Sequence, residues 1–359
     1  MDERLRIGGE SPVTLTARDA PAAGPAFVEA TVLPGRGMML LQARLRLASG
    51  EVVDAIVAPD LDEAARQLDG GPDDFAGDKA FSFGGAILAP YANRIRGRPI
   101  AGAREIETEV AGQTVRLPRN WGGKRAGAEQ YAMHGLILAS AVPWRQIAPD
   151  RLSGRLLAGD FGGSWPGQSV LAFEWSLARG ALALKVTAEN IGEIPVPMGI
   201  GWHPYFALQS GDRRQARLHL AARSRVLVNN YDEVLPTGEV EAVKGGPYDF
   251  TAKAGRALSE AYLDDCFTDL DREGGGAVAE IRDPAANLGL RISSPSPQTH
   301  AFQIYAPPDK PFVVVEPQFN LADPYGAAWR GRDTGMASVP PGGSIAYEAR
   351  VAAFALETA

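Results

Sequence analysis

The sequence predicts an all-β protein whose antiparallel strands form a sandwich or a barrel, and three observations support this prediction. The 359 residues include 41 glycines and 27 prolines, which interrupt the chain too often for long helices. Short runs rich in β-branched and aromatic residues lie between these breaks. The runs SVLAFEWSL and ALALKVTAEN, joined by a short ARG loop, are typical of a hairpin.

One short helix and a series of strands are predicted along the chain. In DLDEAARQLDGG, residues 60–71, apolar residues recur at helical spacing before a Gly-Gly stop, so we expect a short surface helix there. Strand-like runs follow at 114–118, 169–177, 181–190, 288–294 and 312–318. Residues 8–26 are rich in proline, alanine and glycine. We therefore expect a loose N-terminal arm over 1–25 and, because no linker follows it, a single domain over 26–359.

Composition excludes several classes of function. The net charge is −7 and no basic tract is long enough to indicate a nucleic-acid partner. No stretch reaches the roughly 20 apolar residues of a membrane span, and the N-terminus lacks the apolar region of a secretory signal. A single cysteine, Cys266, excludes an internal disulfide framework and a cysteine-based zinc cluster. We predict a soluble, cytoplasmic protein.

Polar side chains interrupt the apolar runs at five places: Asn93 with Arg94, His134, His203, Asp264 with Asp265, and Glu316. Adjacent residues of a strand face opposite ways, so only one of the two aspartates can face a given pocket. Glutamate is rarely buried without a partner. Glu316, which ends a run of three valines, is therefore either a surface group at a strand end or a base in a cleft, where desolvation raises its pKa.

Structural roles compete with functional ones at these positions. His203, within GWHPYFAL, is either a core histidine with one hydrogen bond or a residue that faces an aromatic pocket. His134 precedes a glycine and can simply mark a turn. Arg96 and Arg98 are expected to be solvated at a strand end.

No metal site and no serine nucleophile are predicted. The chain has no His-x-His, no His-Glu-x-x-His and no ligand pair at i, i+4. His219 alternates with apolar residues in ARLHLAA, and both it and His300, in SPQTHAFQIY, are expected to be structural. A Ser-His-Asp hydrolase is disfavoured because no G-x-S-x-G elbow is present.

Six motifs in order resemble those of the aldose 1-epimerase (galactose mutarotase) family: PYANRIRG, MHGL, HPYF, LDDCF, FQIY and VVVEPQ. The resemblance extends from roughly residue 26 to near the C-terminus. It implies a large antiparallel β-sandwich with a sugar site on an open concave face. It also implies that no cofactor and no metal are needed, with a small-molecule sugar as the partner and a monomer or homodimer as the assembly.

The resemblance assigns roles to individual residues. His203 of HPYF matches the general acid and Glu316 of VVVEPQ the general base. Residues expected to contact the sugar or assist in its binding are Asn93, Arg94, His134, Asp264 and Gln303. Mutarotation needs a base at the anomeric hydroxyl and an acid at the ring oxygen. A histidine of pKa about 6.5 and a glutamate raised from about 4.3 suit these tasks.

Two departures from the family bear on the substrate. HGLILASAVPW stands where the galactose enzymes have a longer glycine-rich stretch, and the insertion 119–132, RNWGGKRAGAEQYA, precedes it. The resemblance therefore predicts the chemistry, mutarotation of a free aldose, better than it predicts the sugar.

Three alternatives remain open. The first is a hexose-6-phosphate mutarotase, in which Arg94, Arg96 and Arg98 share one face of an extended segment and bind the phosphate. The second is a carbohydrate-binding sandwich without catalytic activity. The third is a sandwich domain of a glycoside hydrolase, with Asp264 and Glu316 as its two carboxylates.

Overall fold

The structure is a computed structural model and describes residues 5–356. Over these residues the strands are β1 (Val13–Thr16), β2 (Ala26–Leu33), β3 (Met39–Arg46), β4 (Val52–Asp54), β5 (Gly85–Leu88), β6 (Arg94–Ile95), β7 (Arg98–Pro99), β8 (Glu105–Val110), β9 (Gln113–Pro118), β10 (Trp121–Gly122), β11 (Gln130–Met133), β12 (Trp144–Ala148), β13 (Arg151–Gly159), β14 (Ser169–Ala178), β15 (Ala181–Asn190), β16 (Val196–Met198), β17 (Gly201–Ala207), β18 (Arg217–Leu220), β19 (Ala222–Val228), β20 (Pro236–Ala242), β21 (Arg256–Ala257), β22 (Leu263–Leu270), β23 (Ala277–Asp283), β24 (Leu288–Ser294), β25 (Ala301–Ala306), β26 (Phe312–Gln318), β27 (Ala337–Val339) and β28 (Ser344–Phe354). The helices over the same residues are α1 (Leu61–Gln67) and the 3₁₀ segments Pro34–Arg36, Pro72–Phe81, Pro284–Ala286 and Ala327–Trp329.

Two large antiparallel sheets contain most of these strands. The larger, which we call the front sheet, has the order β1-β2-β3-β5-β17-β26-β25-β22-β19-β20, with β4 paired to β3. The back sheet has the order β12-β13-β14-β15-β28-β24-β23-β18-β21. Smaller sheets are formed by β10-β11-β6, by β16-β27 and by β7-β8-β9. The prediction of an all-β antiparallel sandwich with few short helices is confirmed.

The main hydrophobic core lies between the front and back sheets. Trp202 and Phe206 of β17 belong to the same buried cluster as Trp175 of β14 and Leu184 of β15. The indole rings of Trp175 and Trp202 meet edge to face with centroids 5.6 Å apart. Such aromatic pairs contribute about 0.5–1.5 kcal/mol beyond the burial of their area. The inner face of the front sheet is thus committed to the core, which leaves its outer face for other residues.

The predicted hairpin and helix are both present. β14 pairs with β15 along its whole length, and the loop between them is Arg179–Gly180. Both loop residues have positive φ, 52° and 70°, as the two-residue turn that suits twisted strands requires. Helix α1 begins after Asp60, whose carboxylate accepts a hydrogen bond from the Glu63 N–H at 2.8 Å. Among the described residues no helix is long and apolar enough to cross a bilayer.

Part of the segment expected to form a loose N-terminal arm is a strand of the front sheet. β1 pairs with β2 from Val13 opposite Val32 to Thr16 opposite Glu29. Val13 and Leu15 are buried in the main core because alternate residues of this strand point inward. The arm is therefore integral to the sheet at residues 13–16. Residues 1–4 of the predicted arm, and 357–359 of the predicted domain, lie outside the described residues.

Candidate active site

Four neighbouring strands of the front sheet bring the predicted site residues to its outer face. His203 lies on β17, Glu316 on β26, Gln303 on β25 and Asp264 on β22, and these strands are adjacent in that order. The residue that precedes each of them belongs to the main core. Because side chains alternate along a strand, the four polar side chains face away from that core.

Strand register places the polar residues opposite one another. Glu316 of β26 is paired directly with Gln303 of β25. On the other side of β26, the partners Gly201–Gln318 and Tyr205–Val314 bracket His203 and Glu316, which are therefore also opposite each other. A polar row thus crosses the sheet at right angles to the strands.

His203 and Glu316 form a buried pair. The distance from His203 Nε2 to Glu316 Oε1 is 3.3 Å, and both side chains are almost completely buried. Burial, with a further contribution from the positive charge of Arg94, lowers the pKa of His203 to about 4. Burial, reinforced by the charge of Asp264, raises the pKa of Glu316 well above its usual value. Both shifts favour the neutral forms, so the pair holds one transferable proton.

Each member of the pair keeps an atom without a hydrogen-bond partner. Nδ1 of His203 and Oε2 of Glu316 are buried and unpaired in the described part of the chain. Buried polar atoms are normally satisfied, and exceptions are typical of sites that bind something.

His134 reaches the pair from a turn that follows β11. Its backbone is left-handed, with φ 63°, and its N–H donates to the carbonyl of Asn93 at 2.9 Å. Gly135 is also left-handed, and a Cβ there would lie 2.3 Å from the Ala89 carbonyl oxygen. Only glycine fits this position. The His-Gly sequence therefore does mark a turn, and this turn aims the imidazole into the site.

Neither nitrogen of the His134 imidazole has a hydrogen-bond partner among residues 5–356. It packs edge-on against Phe81 and His203, with centroid distances of 5.0 Å and 4.8 Å. Burial and the neighbouring His203 lower the pKa of His134 well below its usual value. The neutral ring offers one donor and one acceptor, which suits a sugar hydroxyl.

Four side chains beside the pair form a closed ring of hydrogen bonds. Arg94 donates to Asn93 Oδ1 at 2.8 Å, and Asn93 Nδ2 donates to Gln303 Oε1 at 3.0 Å. Gln303 Nε2 donates to Asp264 Oδ1 at 2.6 Å, and Arg94 Nη2 lies 3.4 Å from Asp264 Oδ2. Charge-assisted bonds of this kind fix the orientation of each group. The guanidinium and the carboxylate are therefore held in place before any ligand arrives.

Asn93 supports this ring from behind and does not line the cavity. Its side chain is buried, and both of its polar atoms bond to Arg94 and Gln303. Its backbone is left-handed, with φ 63°, a conformation that asparagine tolerates better than most residues. Asn93 therefore holds Arg94 and Gln303 in position, and a direct contact between Asn93 and the sugar stays a prediction.

The structure distinguishes the two adjacent aspartates. Asp264 lines the cavity, whereas Asp265 does not. Asp265 Oδ1 instead accepts from Arg225 Nη1 at 2.6 Å and from the hydroxyl of Tyr231 at 3.0 Å. Period-two alternation along β22 separates them, as the sequence predicts.

The three arginines of NRIRGR do not gather at one place. Arg94 is buried in the site, whereas Arg96 pairs with Glu129 at 3.1 Å and Arg98 pairs with Glu107. Neither Arg96 nor Arg98 lines the cavity. Arg96 and Arg98 therefore do not join Arg94 in the cluster that the phosphate alternative requires.

A single cavity of about 440 Å³ joins these groups, and its predicted members are Arg94, His134, His203, Asp264, Gln303 and Glu316. Aromatic residues that the sequence did not single out also line it. Tyr205 and Tyr305 lie two positions after His203 and Gln303, so strand alternation could have predicted them. Trp121 and Tyr262 come from other segments, and no local pattern points to them.

Three donor groups converge closely enough to hold a metal ion. Ligand atoms of His134, His203 and Glu316 all lie within 4.8 Å of one another. The sequence shows no ligand spacing because the three residues come from different strands and turns. The neutral imidazoles and the carboxylate suit zinc, although burial of the carboxyl in its protonated form opposes binding. The remaining histidines, His219 and His300, lie outside the cavity.

Comparison with known proteins identifies the family. The family model described as aldose 1-epimerase matches residues 50–332. The chain belongs to the aldose 1-epimerase family. The match covers most of the range over which the motifs resemble that family, and all the predicted site residues lie within it. No curated protein sequence matches the chain.

Solved structures of aldose epimerase relatives share the fold. A GalM/aldose epimerase homologue from C. elegans superposes with a TM-score of 0.72 at 17% identity, covering 97% of this chain and 99% of that one. A galactose mutarotase-like protein from Clostridium acetobutylicum gives 0.72 at 17% identity, with coverages of 93% and 94%. Galactose 1-epimerase from Lactobacillus acidophilus NCFM gives 0.64 at 17% identity, with coverages of 97% and 99%. At these identities the likeness shows the fold.

Proposed function

We propose that the protein is an aldose 1-epimerase that interconverts the α and β anomers of a free aldose by acid–base catalysis. The observation that carries this proposal is the buried contact of 3.3 Å between His203 and Glu316, the residues that match the family's acid and base. Membership of the family supports the reaction class. The closed ring around Arg94 and Asp264 supplies the polar groups that a sugar needs beside the pair.

The reaction requires two coordinated proton transfers. In the ionised form of the pair, the Glu316 carboxylate takes the proton of the anomeric hydroxyl. The O1 electron pair then forms the C1 carbonyl while the C1–O5 bond breaks, and O5 receives the proton of the His203 imidazolium. Rotation about C1–C2 and the reverse transfers close the other anomer. Each such transfer typically contributes about 10²–10⁴-fold in rate.

The burial of the pair is compatible with this scheme. The neutral pair and the ion pair contain the same number of protons, so a proton that crosses from Glu316 to His203 prepares both groups without exchange with solvent. Ring opening leaves both Glu316 and His203 uncharged, and a low-dielectric site favours that loss of charge. The pKa shifts of the two residues therefore favour ring opening once the ion pair has formed from the neutral resting pair.

The surrounding residues would hold the sugar at the pair. His134, neutral and unpaired, can donate to or accept from a hydroxyl near the anomeric carbon. Arg94 and Asp264 can bind adjacent ring hydroxyls through their remaining donors and lone pairs, and Gln303 adds an amide. Holding the reactant in this way converts proton transfer into an oriented, unimolecular event.

The alternatives receive less support from the same geometry. A phosphate site formed by Arg94, Arg96 and Arg98 lacks its cluster, because Arg96 and Arg98 are paired elsewhere. A glycoside hydrolase needs two carboxylates that flank the bond, whereas Glu316 contacts an imidazole. A binding module without catalysis does not need an acid and a base in contact.

Anomer exchange measured by NMR tests the proposal. Freshly dissolved α-glucose and α-galactose should reach anomeric equilibrium faster with the protein than in buffer, and Glu316→Gln should remove most of this acceleration. Glucose 6-phosphate is the matched test of the phosphate alternative, with Arg96→Ala/Arg98→Ala as its variant. Acceleration confined to the phosphorylated sugar, and lost in that variant, would favour the alternative. No acceleration with any aldose contradicts the proposal.

A further inference from the structure

The insertion 119–132 adjoins the active site, and the proposed reaction uses none of its residues. It contains β10 and most of β11, which form a small sheet with β6, the strand that begins at Arg94. β11 ends at Met133, and the next residue is His134. The insertion is therefore paired with the strand of one proposed sugar contact and leads directly into another.

The hydroxyl of Tyr131 holds the side chain of Arg94. Met133 lies opposite Arg94 across β11 and β6, so Tyr131, two positions earlier, is a diagonal neighbour within reach of the guanidinium. Arg94 Nε donates to the Tyr131 hydroxyl oxygen at 3.3 Å. That hydroxyl donates its own proton to the Glu233 carbonyl at 2.7 Å, which leaves the lone pairs of its oxygen for the guanidinium.

The bond at Nε leaves the outer end of the guanidinium for a ligand. Nη1 of Arg94 donates to Asn93, and Nη2 pairs with Asp264. A guanidinium has five N–H groups, so each terminal nitrogen keeps one, and Arg94 lines the cavity. The three contacts together fix the plane of the guanidinium and the direction of these two free N–H groups. Without the Tyr131 hydroxyl, the buried Nε–H would lose its partner, and rotation of the guanidinium would relieve that cost.

The side chain of Asn120 holds the main chain directly before His134. Asn120 Oδ1 accepts from the Met133 N–H at 2.8 Å, and Asn120 Nδ2 donates to the Met133 carbonyl at 3.1 Å. Pairing of β10 with β11 ends at Trp121 opposite Tyr131, so the amide extends this ladder by one more residue. A side-chain amide has the donor and the acceptor of a peptide group, which is why asparagine suits this buried position.

The direction of the His134 ring depends on its backbone. Neither ring nitrogen has a hydrogen-bond partner within the described part of the chain, so packing and the preceding peptide orient the imidazole. The centroid of the His203 ring is only 4.8 Å away. A small shift of the turn would therefore change the distance between His134 and the acid–base pair.

We propose that the insertion 119–132 positions two sugar-binding groups, with Tyr131 orienting the Arg94 guanidinium and Asn120 fixing the turn that holds His134. Tyr131 and Asn120 are buried and do not line the cavity, so both act through another residue. This inference rests on the proposed mutarotase function, in which Arg94 and His134 hold the sugar.

Tyr131→Phe and Asn120→Ala test the two contacts with glucose as the substrate. Tyr131→Phe keeps the ring and removes only the hydroxyl. It should lower kcat/KM about tenfold, the factor for one misplaced charge-assisted hydrogen bond, and raise the calorimetric Kd by a similar factor. kcat at saturating glucose should change by roughly threefold at most, because Arg94 contacts the sugar away from the reacting bond. Asn120→Ala should also lower kcat/KM about tenfold. If Asn120→Ala does not fold, Asn120→Asp, which keeps the acceptor for the Met133 N–H, takes its place.

Double variants separate positioning from a general loss of structure. In the Arg94→Lys background the further loss caused by Tyr131→Phe should shrink to about twofold or less, whereas in the His134→Asn background it should persist. Asn120→Ala should show the opposite pattern. Losses that multiply in every combination would overturn the proposal, because independent structural effects are additive in free energy.

Ser294→Ala and Asn190→Ala are the matched controls. The buried Ser294 hydroxyl donates to the Glu348 carbonyl at 2.7 Å, the same length as the bond that Tyr131 makes to a carbonyl. The buried Asn190 amide donates to the carbonyls of Ile194 and Val339, both at 2.8 Å. Neither control residue lines the cavity, so both variants should lower Tm and leave kcat/KM unchanged. A loss of kcat/KM in the controls equal to that in Tyr131→Phe would contradict the proposal.

NMR of the side chains tests the positioning without catalysis. The ¹H–¹⁵N signal of Arg94 Nε–H, identified by its loss in Arg94→Lys, should shift in Tyr131→Phe and exchange with water about tenfold faster. The His134 ring signals, identified with His134→Asn, should shift in Asn120→Ala. If the protein accelerates no aldose, the mutarotase function fails and these signals decide the positioning. Changed signals support it, and unchanged signals overturn it.

Discussion

Nε2 of His203 lies 3.3 Å from Oε1 of Glu316, and neither side chain has appreciable contact with solvent. The two residues are 113 positions apart in sequence, from 203 to 316, yet they are opposite each other on adjacent strands. Shared burial lowers the pKa of His203 and raises that of Glu316, so both groups favour their neutral forms and titrate as one unit. The predictions that follow rest mainly on this relationship.

The rate of mutarotation should depend on pH in a bell shape. As the pH falls through about 4, the folded-state pKa of His203, the pair takes up a second proton and loses its base. As the pH rises through the raised pKa of Glu316, the pair loses its only transferable proton and with it the acid. NMR exchange rates, corrected for the buffer reaction, measure kcat/KM across this range. A rate that rises steadily with pH would rule out the shared proton.

Removing either His203 or Glu316 should greatly lower the catalysed rate, and removing both should lower it little further. Glu316→Gln keeps the shape but cannot accept the proton, so most of the catalysed rate should be lost while sugar binding persists. His203→Asn should also be severe, with a smaller loss if water donates to the ring oxygen. The double variant should resemble the worse single one, because the two groups act in one relay. Near-normal turnover by Glu316→Gln would show that the base is another residue, with Asp264 as the next candidate.

Asp264→Asn should chiefly weaken sugar binding. The change removes the charge that pairs with Arg94 and accepts from Gln303. A charge-assisted hydrogen bond of this type contributes about 1.5–3 kcal/mol, so Kd should rise by roughly one to two orders of magnitude. Calorimetric Kd and kcat, measured together, separate this from a catalytic role. A fall in kcat at saturating sugar, with Kd unchanged, contradicts the prediction.

Burial of His203 should lower the free energy of unfolding at acid pH. The pKa of His203 is about 4 in the folded protein against the usual 6.5, so the unfolded chain binds more protons between these values. The stability associated with a neutral His203 is therefore complete above pH 6.5 and is lost as the pH falls toward 4. His203→Asn lacks this loss. The free energy of unfolding of the variant, relative to that of wild type, should therefore rise by about 3 kcal/mol between neutral pH and pH 4. Urea unfolding at the two pH values measures this difference.

Activity should survive removal of metal ions, although donor groups of His134, His203 and Glu316 lie within 4.8 Å of one another. Proton transfer by His203 and Glu316 needs both groups free of a ligand. Dialysis against a chelator should leave kcat unchanged, and added Zn²⁺ should inhibit by occupying the pair. Stoichiometric zinc in the purified protein, with activity that disappears on chelation and returns with zinc, would overturn the proposed mechanism.

The sequence predicts the class of the fold because the residue patterns of strands and hairpins are local in the sequence. The runs at 288–294 and 312–318 coincide with β24 and β26, and the hairpin of β14 and β15 was evident from alternation and one glycine. The N-terminal strand β1 was missed. It has only four residues, VTLT, and the segment around it is rich in proline, alanine and glycine, so the strand pattern did not stand out.

The sequence by itself determined the ordered motifs, the alternation that sends Asp264 and Asp265 to different sides, and the identity of the groups that can do the chemistry. Only the tertiary structure decided which of them meet. Strand order and register set the contact between His203 and Glu316, and side-chain hydrogen bonds place Asn93 behind Arg94 and Gln303. Arg96 and Arg98 lie outside the cavity, where they pair with Glu129 and Glu107. Local sequence patterns predict on which face of a sheet a side chain lies. Contacts between distant segments depend on the packing of the whole sandwich, which no short stretch encodes.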